Sequence, residues 1–235
     1  MNVLELSIER LTGVPEQLRL ASPRLVVAGY TGRDVATVER HVAELAELGV
    51  PPPPEVPAFW ALPNWLLAVA QDGVEIGVAA GSGEAEPVLI KAANGALYVT
   101  IGSDHTDREL ERSSIPLAKM VCPKLVAASV WPFDEVAAGW DGLWIRSYVG
   151  EKETPYQADT LARIRPPLEL LARAEEVGAH PGRAIVLFLG TVPLLTAGFR
   201  YETHFTAVLE DPERGRQLRC PYRVDPVVTA TAAAS

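Results

Sequence analysis

Glu84-Ala85-Glu86-Pro87-Val88-Leu89-Ile90-Lys91-Ala92-Ala93-Asn94-Gly95-Ala96-Leu97-Tyr98-Val99-Thr100-Ile101-Gly102-Ser103-Asp104 is the stretch on which the reading of this chain turns. Two apolar runs flank Asn94-Gly95, a dipeptide that suits tight turns because both residues tolerate positive φ. Residues 87–91 and 97–101 are therefore expected as strands paired around that turn. Side chains two apart on a strand share a face, so Glu84 and Glu86 can converge on one point. Two carboxylates held together are unfavourable unless a cation or a proton compensates them. Pairing around Asn94-Gly95 would also bring Asp104 near Glu86, making three acids one candidate site for Mg²⁺, a cation that prefers hard oxygen ligands. Spacing alone leaves plainer readings open: Glu-x-Glu suits a solvated strand face, and an Asp before a helix suits an N-cap.

Working outward, residues 25–30 read as a strand closed by a glycine turn. Val35, Val38, Val42, Leu45 and Leu48 recur at helical steps, with Asp34 placed to cap the helix and Gly49 to end it. The prolines at 51–54 forbid its continuation. Asp72-Gly73 reads as another turn, 107–113 as a short helix, 143–149 as a strand, and 160–177 as a helix broken near Pro166-Pro167. An apolar strand is expected at 184–189 and a terminal hairpin from 203–209 and 217–224. Trp131, Trp140 and Trp144 are expected in the core or at a dimer interface. The pattern has no βαβ alternation, no phosphate-binding glycine loop and no internal repeat. It implies an α+β fold, mainly β, in one domain over 1–228, with an N-terminal strand segment at 1–25 and a fraying tail at 229–235.

The chain has 235 residues, 48% of them hydrophobic and 22% charged, with net charge −9. That length can bury a sizeable core, and an acidic chain gains nothing from counterion release, so nucleic acid is not an expected partner. Two cysteines, Cys122 and Cys220, are too few for a disulfide framework. No run approaches the roughly 18 apolar residues of a membrane span, and 1–20 lacks a basic segment followed by an apolar one. The expected location is the cytoplasm. Cys122 is read as a packing residue, and His105 is left out of the metal shell because Mg²⁺ favours oxygen over imidazole.

Five segments, in order, resemble the fumarylacetoacetate hydrolase family. They are His41-Val42-Ala43-Glu44 with Pro57-Ala58-Phe59; Glu84-Ala85-Glu86-Pro87-Val88-Leu89-Ile90; Ser103-Asp104-His105-Thr106-Asp107-Arg108-Glu109; Ala118-Lys119-Met120-Val121-Cys122-Pro123; and Gln157 followed by Ala179-His180-Pro181-Gly182-Arg183-Ala184-Ile185 and Gly190-Thr191-Val192-Pro193. Together they span about residues 25–224. The chain departs from the family in shorter loops before Asp104 and Lys119, in Ser103 where the family has Asn, and in one residue inserted within Gly-Thr-Pro.

The resemblance implies a mixed β-sandwich roll with a few peripheral helices, Mg²⁺ or Mn²⁺ on Glu84, Glu86 and Asp104, and a homodimer. It implies a substrate among the 2-oxo and 1,3-dioxo acids, with hydrolytic C–C cleavage of an acylpyruvate as the leading activity. In that scheme His41, oriented by Glu44, activates water, and Lys119 stabilises oxyanion charge. Gln157 and Thr191 bind the substrate, and Arg108 pairs with an acid or with the substrate. The alternative is a lyase or isomerase on the same site: a decarboxylase, dehydratase, tautomerase or cyclase.

Overall fold

The computed structural model describes residues 2–47, 52–78, 80–177 and 182–227. In chain order the elements are β1 (Val3–Ile8), β2 (Glu16–Ala21), β3 (Arg24–Gly29), α1 (Val35–Glu47), β4 (Ala58–Leu62), β5 (Leu67–Val69), β6 (Asp72–Ile76), β7 (Gly81–Ser82), β8 (Ala85–Lys91) and β9 (Leu97–Asp104). They continue with β10 (Thr106–Asp107), α2 (Arg108–Glu111), α3 (Ile115–Met120), β11 (Lys124–Val126), β12 (Ser129–Pro132), β13 (Trp144–Val149), β14 (Thr154–Thr160), α4 (Pro167–Val177), β15 (Ile185–Phe188), β16 (His204–Asp211) and β17 (Arg216–Pro226).

A ten-stranded mixed sheet runs β2-β1-β12-β9-β8-β15-β3-β4, with β11 pairing both β9 and β5. A five-stranded sheet runs β14-β13-β16-β17-β6. The central strands β8, β15 and β3 are near-continuous runs of Val, Ile, Leu and Ala because both of their faces are covered. Alternation sorts these residues between two cores. Val26, Leu89, Ile101 and Leu187 pack toward Ile145, Leu209 and Cys220 of the five-stranded sheet. Leu25, Val27, Val88, Ile90, Val186 and Phe188 pack on the opposite face with Leu4, Leu6, Leu18 and Leu20. Trp131 and Trp140 lie in the first core, and Trp144 stacks under Arg146 at 4.6 Å.

This is the α+β, mainly β, architecture expected, and the β8–β9 hairpin turns at Asn94-Gly95 as read. Two local expectations are corrected. Asp72-Gly73 does not reverse the chain: Asp72 pairs with Arg223 and Val74 with Val224, so Gly73, at φ +76, is the extra residue of a bulge. Turns and bulges both draw on glycine's positive φ, which is why the dipeptide misleads. Pro166-Pro167 does not break a helix but begins one, since Pro167 opens α4, where a fixed φ and a missing N–H cost nothing. The N-terminal segment is a hairpin of two strands, with β1 joined in parallel to β12. Tail residues 229–235, Leu48 and Gly49 at the end of the first helix, and Ala179-His180-Pro181 of the fifth matched segment lie outside the described residues. Among the described residues no helix is long and apolar enough to cross a membrane.

Candidate metal centre

The register of β8 against β9 builds the site. Ala85 faces Ser103 and Glu86 faces Gly102. Asp104 therefore lies across from Glu84 and beside Glu86, and its N–H donates to the Glu84 carbonyl at 3.0 Å. Residues 84, 86 and 104 share one face of the hairpin, and one carboxylate oxygen from each lies within 4.8 Å of the others. Glu86 is 2% and Asp104 0% exposed; Glu84 is partly exposed.

Three cations meet these acids. The Arg108 guanidinium lies 3.4 Å from Glu84 and 2.9 Å from Glu111. It is presented by α2, whose N-terminus Asp107 caps by accepting from the Glu109 and Leu110 N–H groups at 2.9 and 3.0 Å. Thus the helix cap in this segment is Asp107, which leaves Asp104 to the site. Lys119, on α3 after the Ser114 cap, donates to Asp104 Oδ2. Lys124, opposite Asp104 in the β9–β11 register, lies 2.9 Å from its other oxygen and is fully buried. Two rings close the flanks: Phe199 lies 4.2 Å from the Arg108 guanidinium and Trp60 lies 5.7 Å from Lys119 Nζ.

Burial opposes every charge here, and its balance against the partners differs from group to group. Burial raises the Glu84 carboxyl against Arg108 and Lys119. Burial and the neighbouring Asp104 raise Glu86 well above the usual carboxylate range. Burial also works against ionising Asp104, but Lys119 and Lys124 prevail and hold it below that range. Lys119 is raised in turn, because Asp104, Glu84 and Glu86 outweigh its burial.

Backbone and polar side chains fix the acids. The Gly190 N–H donates to Glu86 Oε2 at 2.8 Å. Gln157 accepts from the Ala85 N–H at 3.0 Å and from Ser147 at 2.8 Å, and donates to Thr191 at 2.7 Å and the Val192 carbonyl at 2.8 Å. Thr191 donates to the Ala85 carbonyl at 2.6 Å. Both residues singled out in the sequence thus clamp Ala85, the residue between the two glutamates. Gln157 has no hydrogen-bonding capacity left over.

His105 alternates to the other face, where its Nδ1 meets the Tyr222 hydroxyl at 2.8 Å. Burial pulls its pKa down to about 3, so the ring is neutral at physiological pH and stays out of the acid cluster. The Cys122 thiol is buried and pushed up to about 12 by that burial, as suits a packing residue. His41 and Glu44 fall on α1, whose start Asp34 caps through the Ala36 N–H at 3.1 Å; their side chains lie outside the described residues. Sequence reasoning missed Lys124. Its signal is a lone lysine in the otherwise apolar run Leu125-Val126-Ala127 after Cys122-Pro123.

The donor set fits a hard divalent cation: three carboxylates, no thiolate and no imidazole. The buried Arg108 Nε, which has no hydrogen-bond partner among the described residues, marks polar capacity still open beside it.

Residues 28–222 match the family model described as "Protein of unknown function (DUF2848)". The chain belongs to that family. No curated protein matches it. Among solved structures it is similar to fumarylpyruvate hydrolase from Pseudomonas aeruginosa in complex with Mn²⁺ and pyruvate, at 16% identity and TM-score 0.60, covering 95% of this chain and 97% of that one. A protein assigned as a fumarylpyruvate hydrolase from Burkholderia cenocepacia gives 17% identity and TM-score 0.62, with 95% and 96% covered. A 2-keto-3-deoxy-D-arabinonate dehydratase gives 14% identity and TM-score 0.61, with 92% and 79% covered. The chain therefore has the fumarylacetoacetate hydrolase-type fold.

Proposed function

We propose that this member of the family is a divalent-metal-dependent enzyme that hydrolyses a C–C bond of an acylpyruvate-type 1,3-dioxo acid. The observation that supports it is the convergence of Glu84, Glu86 and Asp104 on one face of the β8–β9 hairpin, with Lys119 beside them. Those three carboxylates would hold Mg²⁺ or Mn²⁺. The bound ion would act as a Lewis acid toward the carboxylate and keto oxygens of the substrate.

The residues of the chain have the remaining tasks. His41, oriented by Glu44, takes a proton from water, whose oxygen adds to the acyl carbonyl carbon. The bond from that carbon to the methylene then breaks, and its electron pair stays with the pyruvate half as an enolate. The Lys119 ammonium offsets the enolate charge. Return of the proton to the methylene carbon gives pyruvate, and the acyl half leaves as a carboxylic acid. Arg108 holds Glu84, while Gln157 and Thr191 position both glutamates through Ala85. The homodimer implied by the resemblance belongs to the same proposal and is checked by light scattering.

Pyruvate release from a panel of acylpyruvates, before and after thorough chelation, tests the reading. Activity that survives complete removal of metal overturns it. The second reading, a lyase on the same site, draws on the shortened loops before Asp104 and Lys119, which depart from the family's pattern. His41→Ala separates the two: the hydrolase loses most of its turnover, whereas a reaction needing only the enolate keeps it.

A further inference from the structure

The acids of the site are already matched by buried cations. Glu84, Glu86, Asp104 and Glu111 face Arg108, Lys119 and Lys124. With all of these groups ionised, as cation binding requires of the glutamates, the set is one negative charge from neutral. A divalent cation would carry it to one positive, and a monoanionic ligand bound with that cation would restore neutrality. In a water-poor setting a balanced set is favoured over either charged one.

The three cations are not equally free to adjust. Arg108 is shared between two carboxylates. Lys119 stands on the last turn of a short helix and is held by an acid, beside the Trp60 ring. Lys124 is fixed. It lies on β11, a strand paired on both sides, by β5 and β9. It donates to the His105 carbonyl at 2.7 Å and the Cys122 carbonyl at 3.0 Å, in addition to facing Asp104 Oδ1 at 2.9 Å. Burial pulls its ammonium down, but three acceptors require three hydrogens, and only the ammonium has them. Asp104 and Lys124 together are thus a carboxylate with one oxygen committed and a positive charge that cannot swing away.

We propose that Lys124 is a positioning residue of this centre: it leaves Asp104 a single oxygen for a divalent cation and makes that cation's affinity depend on an accompanying anionic ligand. Lys119, the cation on that remaining oxygen, is the one that yields it. The consequence is reciprocal: metal and oxo acid each strengthen the binding of the other, and neither binds well alone. This rests on the function proposed above and adds to it the order in which the site can fill.

The test measures Mn²⁺ binding to the full chain by the loss of the free-ion EPR signal, with and without pyruvate as the monoanionic probe, against a protein-free control containing pyruvate. Pyruvate should tighten Mn²⁺ about tenfold or more in the unaltered chain. Lys124→Met should bind Mn²⁺ alone about tenfold tighter than the unaltered chain, and the coupling to pyruvate should collapse toward unity. Lys124→Arg, which keeps the charge, should keep the coupling. A purely structural lysine would change melting temperature without moving the coupling. Lys124→Gln carries the same expectation if the Met variant does not fold. Mn²⁺ affinity that pyruvate leaves unchanged in the unaltered chain overturns the proposal, as does unaltered coupling in the Met or Gln variant. Failure to bind Mn²⁺ even with pyruvate strikes instead at the function proposed above.

Discussion

Gly190 reaches Glu86 across the sheet, its N–H 2.8 Å from Oε2, from the turn that follows β15. The contact needs a residue without a side chain. Gly190 holds φ +93, and a Cβ there would fall 2.0 Å from Thr31 Oγ1. A candidate metal ligand is thus aimed by a backbone donor whose conformation only glycine adopts without strain.

Gly190→Ala should lower stability by about 2–4 kcal/mol, combining backbone strain with the clash on Thr31. It should also weaken Mn²⁺ binding about tenfold by releasing Glu86. Urea unfolding and titration calorimetry measure the two effects. Gly198→Ala is the control, since nothing lies within 4 Å of its would-be Cβ; it should stay within about 0.5 kcal/mol. Equal effects at both positions would remove the role given to Gly190.

Glu86→Gln separates stability from function. The Glu86 carboxyl is raised by burial and by Asp104, so its charged form is a cost to the metal-free fold near neutrality. The neutral isostere should melt higher than the unaltered chain in EDTA at neutral pH. Mn²⁺ should then no longer raise its melting temperature, and turnover should fall by about 100-fold or more. A variant that melts lower in EDTA would show that the ionised carboxylate stabilises the empty site.

The same shifts set a pH dependence. Glu84 and Glu86 have folded-state pKa values above their unfolded ones. Metal-free stability therefore declines as pH rises from the ordinary carboxylate range, about 4.3, through those raised values. Asp104 has the opposite sign: its contribution is complete above about pH 3.9 and is lost on further acidification. Cation binding must displace protons from the two glutamates, so the Mn²⁺-induced rise in melting temperature should be larger at about pH 8 than at about pH 5.5. Differential scanning fluorimetry with and without Mn²⁺ reads this directly; a gain independent of pH would contradict it.

Neither cysteine should react. Cys122 and Cys220 are 0% exposed, and burial raises both thiols. Iodoacetamide at about neutral pH should leave both unmodified by mass spectrometry in the folded chain, and modify both in denaturant. Rapid alkylation of Cys122 with loss of turnover would overturn its reading as a packing residue.

The parts of the fold and site that were legible in the sequence are those set by local chemistry. Asn94-Gly95 between apolar runs carried the hairpin, and the hairpin carried Glu84, Glu86 and Asp104 to one face. The period of Val35, Val38 and Val42 marked α1. What escaped depends on partners far along the chain. Lys124 reads as an interruption of an apolar strand until β9 sets Asp104 opposite it. Gln157 and Thr191 were visible as polar residues in matched segments, yet their clamp on Ala85 exists only once β14 and the turn after β15 reach β8. Gly73 shows the same limit: positive φ was legible, but the bulge needed β17 as its partner.

The place of β15 has a consequence for how this protein is made. It lies in the middle of the large sheet, parallel to β3, with Ile185 beside Arg24, so neighbours there are separated by most of the chain. The β8–β9 hairpin, a local structure, can close early and gather the three acids. Gly190, which aims Glu86, is supplied only after β15 has been synthesised and inserted between strands that had nothing to hold them apart. Topologies with such distant pairings close slowly, and during translation the nascent chain exposes the edges of β8 and β3 until β15 arrives. A ribosome stalled before residue 185 would therefore hold a chain with all three candidate acids gathered but Glu86 not yet aimed, and with an open, adhesive seam through the centre of its sheet.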